Sequence, residues 1–216
     1  MPVYKADALV LRTYKLGEAD RIVVFMTRDR GKKRGVAKGA RRPKSKYMGA
    51  LEPLTRGEVA YFEREQRELV QLNYMDPVRS PLLARSAEAL GYVGYFAELL
   101  DEWAQEADAD DRLYRLGASM LDALAAGAPV EPLARYFEYW LLRLQGLYPE
   151  SRGSLSDGAV AFLTASRNAA PARVGELPAE RRTLRELETV HRALISMHLE
   201  KTLKSDRVLR DLRRTP

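Results

Sequence analysis

The chain of 216 residues is long enough for two compact units or one domain with an appendage; 46% is hydrophobic, and 36 Lys and Arg against 30 Asp and Glu leave a net charge of +6. With no cysteine, it excludes disulfides, thiolate zinc sites, iron–sulfur clusters and cysteine nucleophiles. No apolar run approaches the ~20 residues of a membrane span, and the opening MPVYKADALVLR lacks the order of a signal peptide, so a cytoplasmic protein without membrane contact is expected.

From Pro2 to about Asp76 the pattern is short and strand-like: Ala8–Tyr14, Arg21–Thr27, Arg34–Gly39, Gly57–Glu63 and Glu68–Met75. These runs are rich in β-branched and aromatic residues and are punctuated by Gly17, Gly31, Pro43, Gly49 and Pro53. Five short strands in so short a stretch predict a small closed barrel such as an OB-fold, because an open sheet would expose its edges. At Ser80 and Pro81 the period changes to helical, with Leu90, Val93, Ala97, Leu100 and Ala104 on one face. A second helix is expected over Leu113–Ala125, and a third opens at Glu131 and Pro132 with an apolar stripe from Leu133 to Tyr148. Periodicity fades at about 149–182, which predicts a loop or reduced subdomain holding little more than a hairpin or short helix. Helix returns from Leu184 to Met197, and a last amphipathic piece bears Val208, Leu209 and Leu212. The expected class is α+β: a barrel at 1–79, then a helical domain at 80–216.

Charge is concentrated. Arg28–Lys46, RDRGKKRGVAKGARRPKSK, has ten basic residues and one acid in nineteen positions, so the remainder of the chain is net acidic. Glycines and Pro43 interrupt the run, which suits a hairpin and loop on a barrel better than a disordered tail. RGKKRG lacks the spacing of a nucleotide-cradling loop, so the expected partner is a long polyanion, a nucleic acid. Tyr14, Phe25, Tyr47, Tyr61, Phe62 and Tyr74 lie near this charge, and at least half should be core. Strand alternation puts Tyr61 and Phe62 on opposite faces, and Tyr47, beside Lys44 and Lys46, is the best candidate to stack a base.

The acidic stretch Glu98, Asp101, Glu102, Glu106, Asp108, Asp110, Asp111 is the one place where a metal-dependent nuclease could be sought. Its spacing argues for a solvated or docking face, with the DADD of Asp108–Asp111 capping a helix at Arg112. His191 and His198, seven apart on one helix face, are too far apart for one metal. Ser45, Ser154, Ser156 and Ser205 lie in no nucleophile-elbow context. No catalytic set assembles, and a binding protein without metal or cofactor is expected.

Ala8–Thr55 resembles the N-terminal domain of the RecO family of recombination mediators, through VLRT, GEADRIV, the T-R-x-x-G of Thr27–Gly31, VAKGARRPKS at Val36–Ser45 and LEP at Leu51–Pro53. HLEKTLKSDRVLRDL at His198–Leu212 resembles the family's closing segment. The resemblance implies an OB-fold followed by a helical domain, no enzymatic activity, and binding of single- and double-stranded DNA with annealing of complementary strands. It further implies docking on the acidic C-terminal tail of single-strand-binding protein, partnership with RecR in loading the RecA recombinase, and a nucleoid location. It implies DNA contacts at Lys38, Arg41, Arg42 and Lys44; charge density adds Lys32, Lys33, Arg34 and Lys46. Where many members have a four-cysteine zinc module, this chain has SRGSLSDGAVAFLTASR, so zinc is not expected. The alternatives are an OB-fold module for RNA, a metal-dependent nuclease at Asp108 and Asp111, and an assembly scaffold.

Overall fold

The computed structural model describes residues 2–63, 68–81, 86–149 and 155–214; Ser154 and the front of the expected cysteine-free loop lie outside these. Five strands, β1 (Val3–Leu16), β2 (Asp20–Thr27), β3 (Gly31–Ala37), β4 (Arg56–Phe62) and β5 (Val70–Arg79), close a barrel in the order β1-β2-β3-β5-β4, with β1 returning to pair with β4. Every pairing is antiparallel except the seam of β3 with β5, which is parallel and short: Gly35 opposite Val70 and Val36 opposite Gln71. This is the N-terminal OB-fold barrel that the strand pattern predicts, and helices follow it, making the chain α+β.

Side-chain alternation gives the barrel two apolar faces. Val10, Val23, Phe25, Val59, Tyr61 and Leu72 fill the interior. The alternate residues Leu9, Val24 and Met26 are buried as well, which explains why β2 reads IVVFM without polar relief. A bulge between Val10 and Arg12 adds Leu11 to this buried set. The second face is covered by the C-terminal part of α1 (Ala87–Trp103) and the N-terminal part of α2 (Asp111–Ala125), where the Gly117 backbone lies against the side chains of Leu9 and Leu100.

Helix α1 starts later than Ser80 and Pro81 suggested. Strand β5 runs on to Arg79, and Ser86 caps α1 by accepting a hydrogen bond from the Ala89 N–H at 3.1 Å. The chain groups into two compact units, Met1–Leu83 with Val93–Leu121 and Ala84–Tyr92 with Asp122–Pro216, so both α1 and α2 are divided between them.

The second unit is built on α3 (Val130–Leu144) and α5 (Arg181–Leu199), with α4 (Asp157–Ser166), a 3₁₀ turn at Pro171–Glu176 and α6 (Lys204–Arg214). The described part of the cysteine-free segment and the turn after it are held by packing, with Phe162 and Val174 fully buried. Hydrogen bonds add to this: the Trp140 indole N–H donates to the Ser166 carbonyl at 3.2 Å, and the Tyr136 hydroxyl to the Ala169 carbonyl at 3.0 Å. Ser156 caps α4 and donates its hydroxyl and its backbone N–H to the Glu186 carboxylate, which holds Glu186 below the usual carboxylate range. Between α3 and α5 lies a buried ionic chain. Glu138 takes Arg135 on one oxygen at 2.8 Å and His191 Nδ1 on the other at 3.0 Å, and His191 Nε2 meets the Tyr148 hydroxyl at 3.2 Å. His191 is thus a core residue that locks two helices together, while His198 is exposed at the end of α5.

Candidate nucleic-acid interface

The ten cations of Arg28–Lys46 divide into two kinds. Those on and around β3 are already engaged. Lys32 Nζ donates to the Asp101 carbonyl at 2.6 Å and lies 3.3 Å from its carboxylate, and the Lys32 backbone is pinned by N–H to Gln105 O at 2.9 Å. Lys33 pairs with Glu63 at 2.8 Å and Arg34 with Glu106 at 3.0 Å. Arg28 meets Asp111 at 2.7 Å, and this hydrogen bond holds the Asp111 carboxyl below the usual carboxylate range. Arg30 lies over the Tyr4 ring at 4.4 Å. Lys32, Lys33 and Arg34 share a cleft of about 240 Å³ with Glu63, Glu68 and Glu106, so three positive charges face three negative ones.

These pairings also locate the acidic stretch. Asp101 is only 4% exposed and bridges Lys32 and Arg12, the latter at 2.7 Å. Asp110 caps α2 by accepting from the N–H groups of Arg112 and Leu113, both at 3.0 Å. Asp111 binds Arg28 and Arg115. The acidic stretch is a docking face, and what it docks on is the basic strand of its own chain. Opposite charge in two segments of similar length, one strand-like and one at a helix end, was the available signal for this pairing. Among the described residues no group of three or more His, Asp or Glu is arranged to hold a metal ion.

The remaining cations lie on the β3–β4 connection. Lys38, Arg41, Arg42, Lys44 and Lys46 are all exposed, and none has an ion-pair partner among the described residues. Consecutive hydrogen-bonded turns set them out. The Gly39 N–H donates to Asp20 Oδ1 at 2.7 Å, the Arg41 N–H to Ala19 O at 2.9 Å and the Arg41 guanidinium to Gly17 O at 2.6 Å, which ties the loop to the β1–β2 hairpin. Arg42 N–H to Gly39 O and Ser45 N–H to Arg42 O, both 3.1 Å, continue the turns. Lys44 has φ of 65°, a left-handed conformation that turns the chain inward toward Tyr47.

Tyr47 requires a correction as a stacking residue. It is 3% exposed, part of the barrel's core, and its hydroxyl reaches the carbonyls of Leu72 at 2.9 Å and Asn73 at 3.0 Å. Burial pushes its phenol up to about 12. The β3–β5 pairing ends at Val36 and Gln71, and just beyond it the Tyr47 hydroxyl donates to two β5 carbonyls. Its role is to anchor the cationic loop, with Ala50, Leu51 and Leu54 buried behind it. Phe25 and Tyr61 are core, Phe62 is half-buried on the opposite face from Tyr61, and Tyr74 donates to the Glu58 carboxylate. Tyr14 is 41% exposed with Arg12 over its ring at 4.9 Å.

Family and relatives agree with this architecture. The family profiles described as Recombination protein O N terminal and Recombination protein O C terminal match residues 1–81 and 84–153. The protein named DNA repair protein RecO from Pelotomaculum thermopropionicum is 32% identical over an alignment of 240 residues, covering 95% of this chain and 93% of that one. The chain belongs to the RecO family of DNA repair proteins. RecO of Koribacter versatilis is 41% identical over 150 residues, 68% of this chain and 60% of the relative, and RecO of Desulforudis audaxviator is 37% identical over 163 residues, 74% and 63% respectively. In the last two matches the chain thus spans less than two thirds of the relative's length. The four-cysteine zinc module that the family resemblance implies for many members has no donors here: the chain has no thiolate, and Ser156 in the corresponding segment is committed to Glu186. The segment does not fit a zinc ion.

Proposed function

We propose that this RecO-family chain acts without catalysis as a recombination mediator, holding single- and double-stranded DNA on the 38–46 loop and annealing complementary strands. One observation supports this above the others: five exposed cations without acid partners among the described residues stand on one short loop anchored at Gly39, Arg41 and Tyr47, while the neighbouring β3 cations are neutralised internally. Phosphate contacts of this kind are independent of sequence, which suits a protein that must act wherever a gap opens. Annealing follows from the same charge. Two strands repel through their phosphates, and a protein that neutralises several on each lowers that barrier. Loading of RecA with RecR, docking on the acidic tail of single-strand-binding protein and a place at the nucleoid belong to the same reading, carried by the family resemblance.

The test is strand annealing on bare and on protein-coated complementary oligonucleotides, with and without RecR. Acceleration on both substrates is expected, with loss on both when Lys38, Arg41, Arg42 and Lys44 are all changed to Ala. Annealing untouched by the fourfold change removes the loop from the mechanism, and equal or tighter binding to matched RNA would replace DNA as the partner.

A further inference from the structure

Beside the cationic loop is a second cleft, of about 330 Å³, within the ~300–1,000 Å³ range of small-molecule sites. It opens where β3 and β5 part after their two residue pairs, and Tyr47 closes its inner end. Lys38 and Lys46 stand at its rim, and Lys46 Nζ lies 5.3 Å from the Tyr47 ring centre. The floor is the half-buried ring of Phe62 with Leu72. Gln71 and Asn73 complete the lining. Asn73 falls at the register shift that pairs Tyr61 with Leu72 and Ala60 with Tyr74, so it is the extra residue of a β-bulge.

The chemistry of this cleft is one-sided. The neighbouring cleft balances Lys32, Lys33 and Arg34 with three glutamates, whereas among the described residues no carboxylate lines this one. It therefore offers two cations, an aromatic and aliphatic floor, and two carboxamides, each of which can both donate and accept. A phosphodiester satisfies the cations, a flat heterocycle satisfies the floor, and the carboxamides can meet the edge of any base. A duplex keeps its bases stacked and paired, so it cannot fill such a cleft; an unpaired strand can.

We propose that the cleft framed by Phe62, Gln71, Asn73 and the 38–47 loop is a subsite for one unstacked nucleotide of a bound single strand, its base on Phe62 and its phosphate between Lys38 and Lys46. This rests on the reading of the loop as a DNA grip and deepens it, because it gives that grip a preference for unpaired strands that charge alone does not supply.

The experiment compares the affinity of the full chain for a mixed-sequence single-stranded oligodeoxynucleotide and for an abasic oligomer of the same length and charge at one salt concentration. The base-bearing strand should bind roughly fivefold tighter or more, the equivalent of one stacking contact. Phe62→Ala and Gln71→Ala should shrink that ratio toward one and leave the salt dependence unchanged. Should Phe62→Ala not fold, as judged by its circular dichroism, Phe62→Leu keeps much of the apolar volume and serves in its place. Equal affinity of the unaltered protein for both oligomers overturns the subsite, as does a ratio that survives the Phe62 change. Failure of the underlying DNA grip looks different: affinity for both oligomers would persist after replacement of Lys38, Arg41, Arg42 and Lys44.

Discussion

The Tyr47 hydroxyl lies 2.9 Å from the carbonyl oxygen of Leu72, twenty-five residues along the chain, and through it a loop rich in positive charge is fastened to the seam of the barrel. A donor lost from a buried site leaves its acceptor dry. Tyr47→Phe keeps the ring but strands the Leu72 and Asn73 carbonyls, so it should cost about 1–3 kcal/mol in chemical denaturation. Affinity for single-stranded DNA should fall with it, since the cations would no longer be held in one arrangement. A variant as stable and as tightly binding as the parent would show that the anchor is dispensable.

The same hydroxyl sets a pH dependence. Burial raises the Tyr47 phenol from 10.0 to about 12, and Tyr61, Tyr114 and Tyr148 also reach about 12, with burial the leading cause in each. Because the folded state binds these protons more tightly than the unfolded one, their contribution is complete below pH 10 and is lost as pH rises through about 12. Denaturation midpoints should therefore decline across that window, and Tyr47→Phe should decline less steeply. Midpoints that hold level from pH 10 to 12 would contradict the sign.

Much of this was legible in the residues. Gly17 and Gly39 follow the ends of β1 and β3 and Gly31 opens β3, each with positive φ, and the doubly apolar IVVFM announces a strand covered on both sides. Charge density located the cluster but could not show which of its cations are paired within the chain. Composition cannot tell Lys32 from Lys38, because the difference lies in Asp101, sixty-nine residues from Lys32 and brought there by α1. Tyr47 reads as a stacking residue for a related reason: its neighbours in sequence are exposed lysines, while its neighbours in space are the β5 carbonyls of Leu72 and Asn73, a contact that no local pattern encodes. Strand pairing carries β5 up to Arg79, directly before the cap that Ser80 and Pro81 suggest, and α1 begins only at Ala87.

Gly31 opens β3 at φ of 67°, and a Cβ built there would meet the Asp108 backbone N and O at 2.4 Å. Gly31→Ala should combine left-handed strain with a forced separation from the 104–108 segment, a loss of about 3 kcal/mol or more. Gly49 supplies the control, with φ of 71° and nothing within 4 Å of the added carbon, so Gly49→Ala should cost only about 1–2 kcal/mol. Equal losses at the two sites would mean that the close approach at Asp108 relaxes without penalty.

In the second unit, Glu138 is 2% exposed and serves Arg135, 4% exposed, and His191, fully buried. Glu138→Ala would leave Arg135 with the looser Glu188 contact at 3.5 Å and His191 Nδ1 without its carboxylate. Removal of one partner from a buried ionic chain exposes the full desolvation penalty of the others, so a loss of about 3–5 kcal/mol is expected in thermal or chemical unfolding followed by helical circular dichroism. A loss under about 1 kcal/mol would mean that Arg135 and His191 find other partners when the helices shift.

The division of cations into engaged and unengaged sets should be visible in salt dependence. Each phosphate contacted on a single strand contributes about 0.7 to the slope of log K against log salt. Arg42→Ala and Lys44→Ala, which remove cations without acid partners among the described residues, should each flatten the slope by about that amount. Lys33→Ala removes the same formal charge but takes it from Glu63 at 2.8 Å. Its affinity should fall through the uncovered carboxylate, a long-range effect that leaves the number of released counterions unchanged, so its slope should stay near that of the parent. Equal flattening by Lys33→Ala and Arg42→Ala would show that DNA strips Lys33 from Glu63, and that the β3 cations belong to the interface after all.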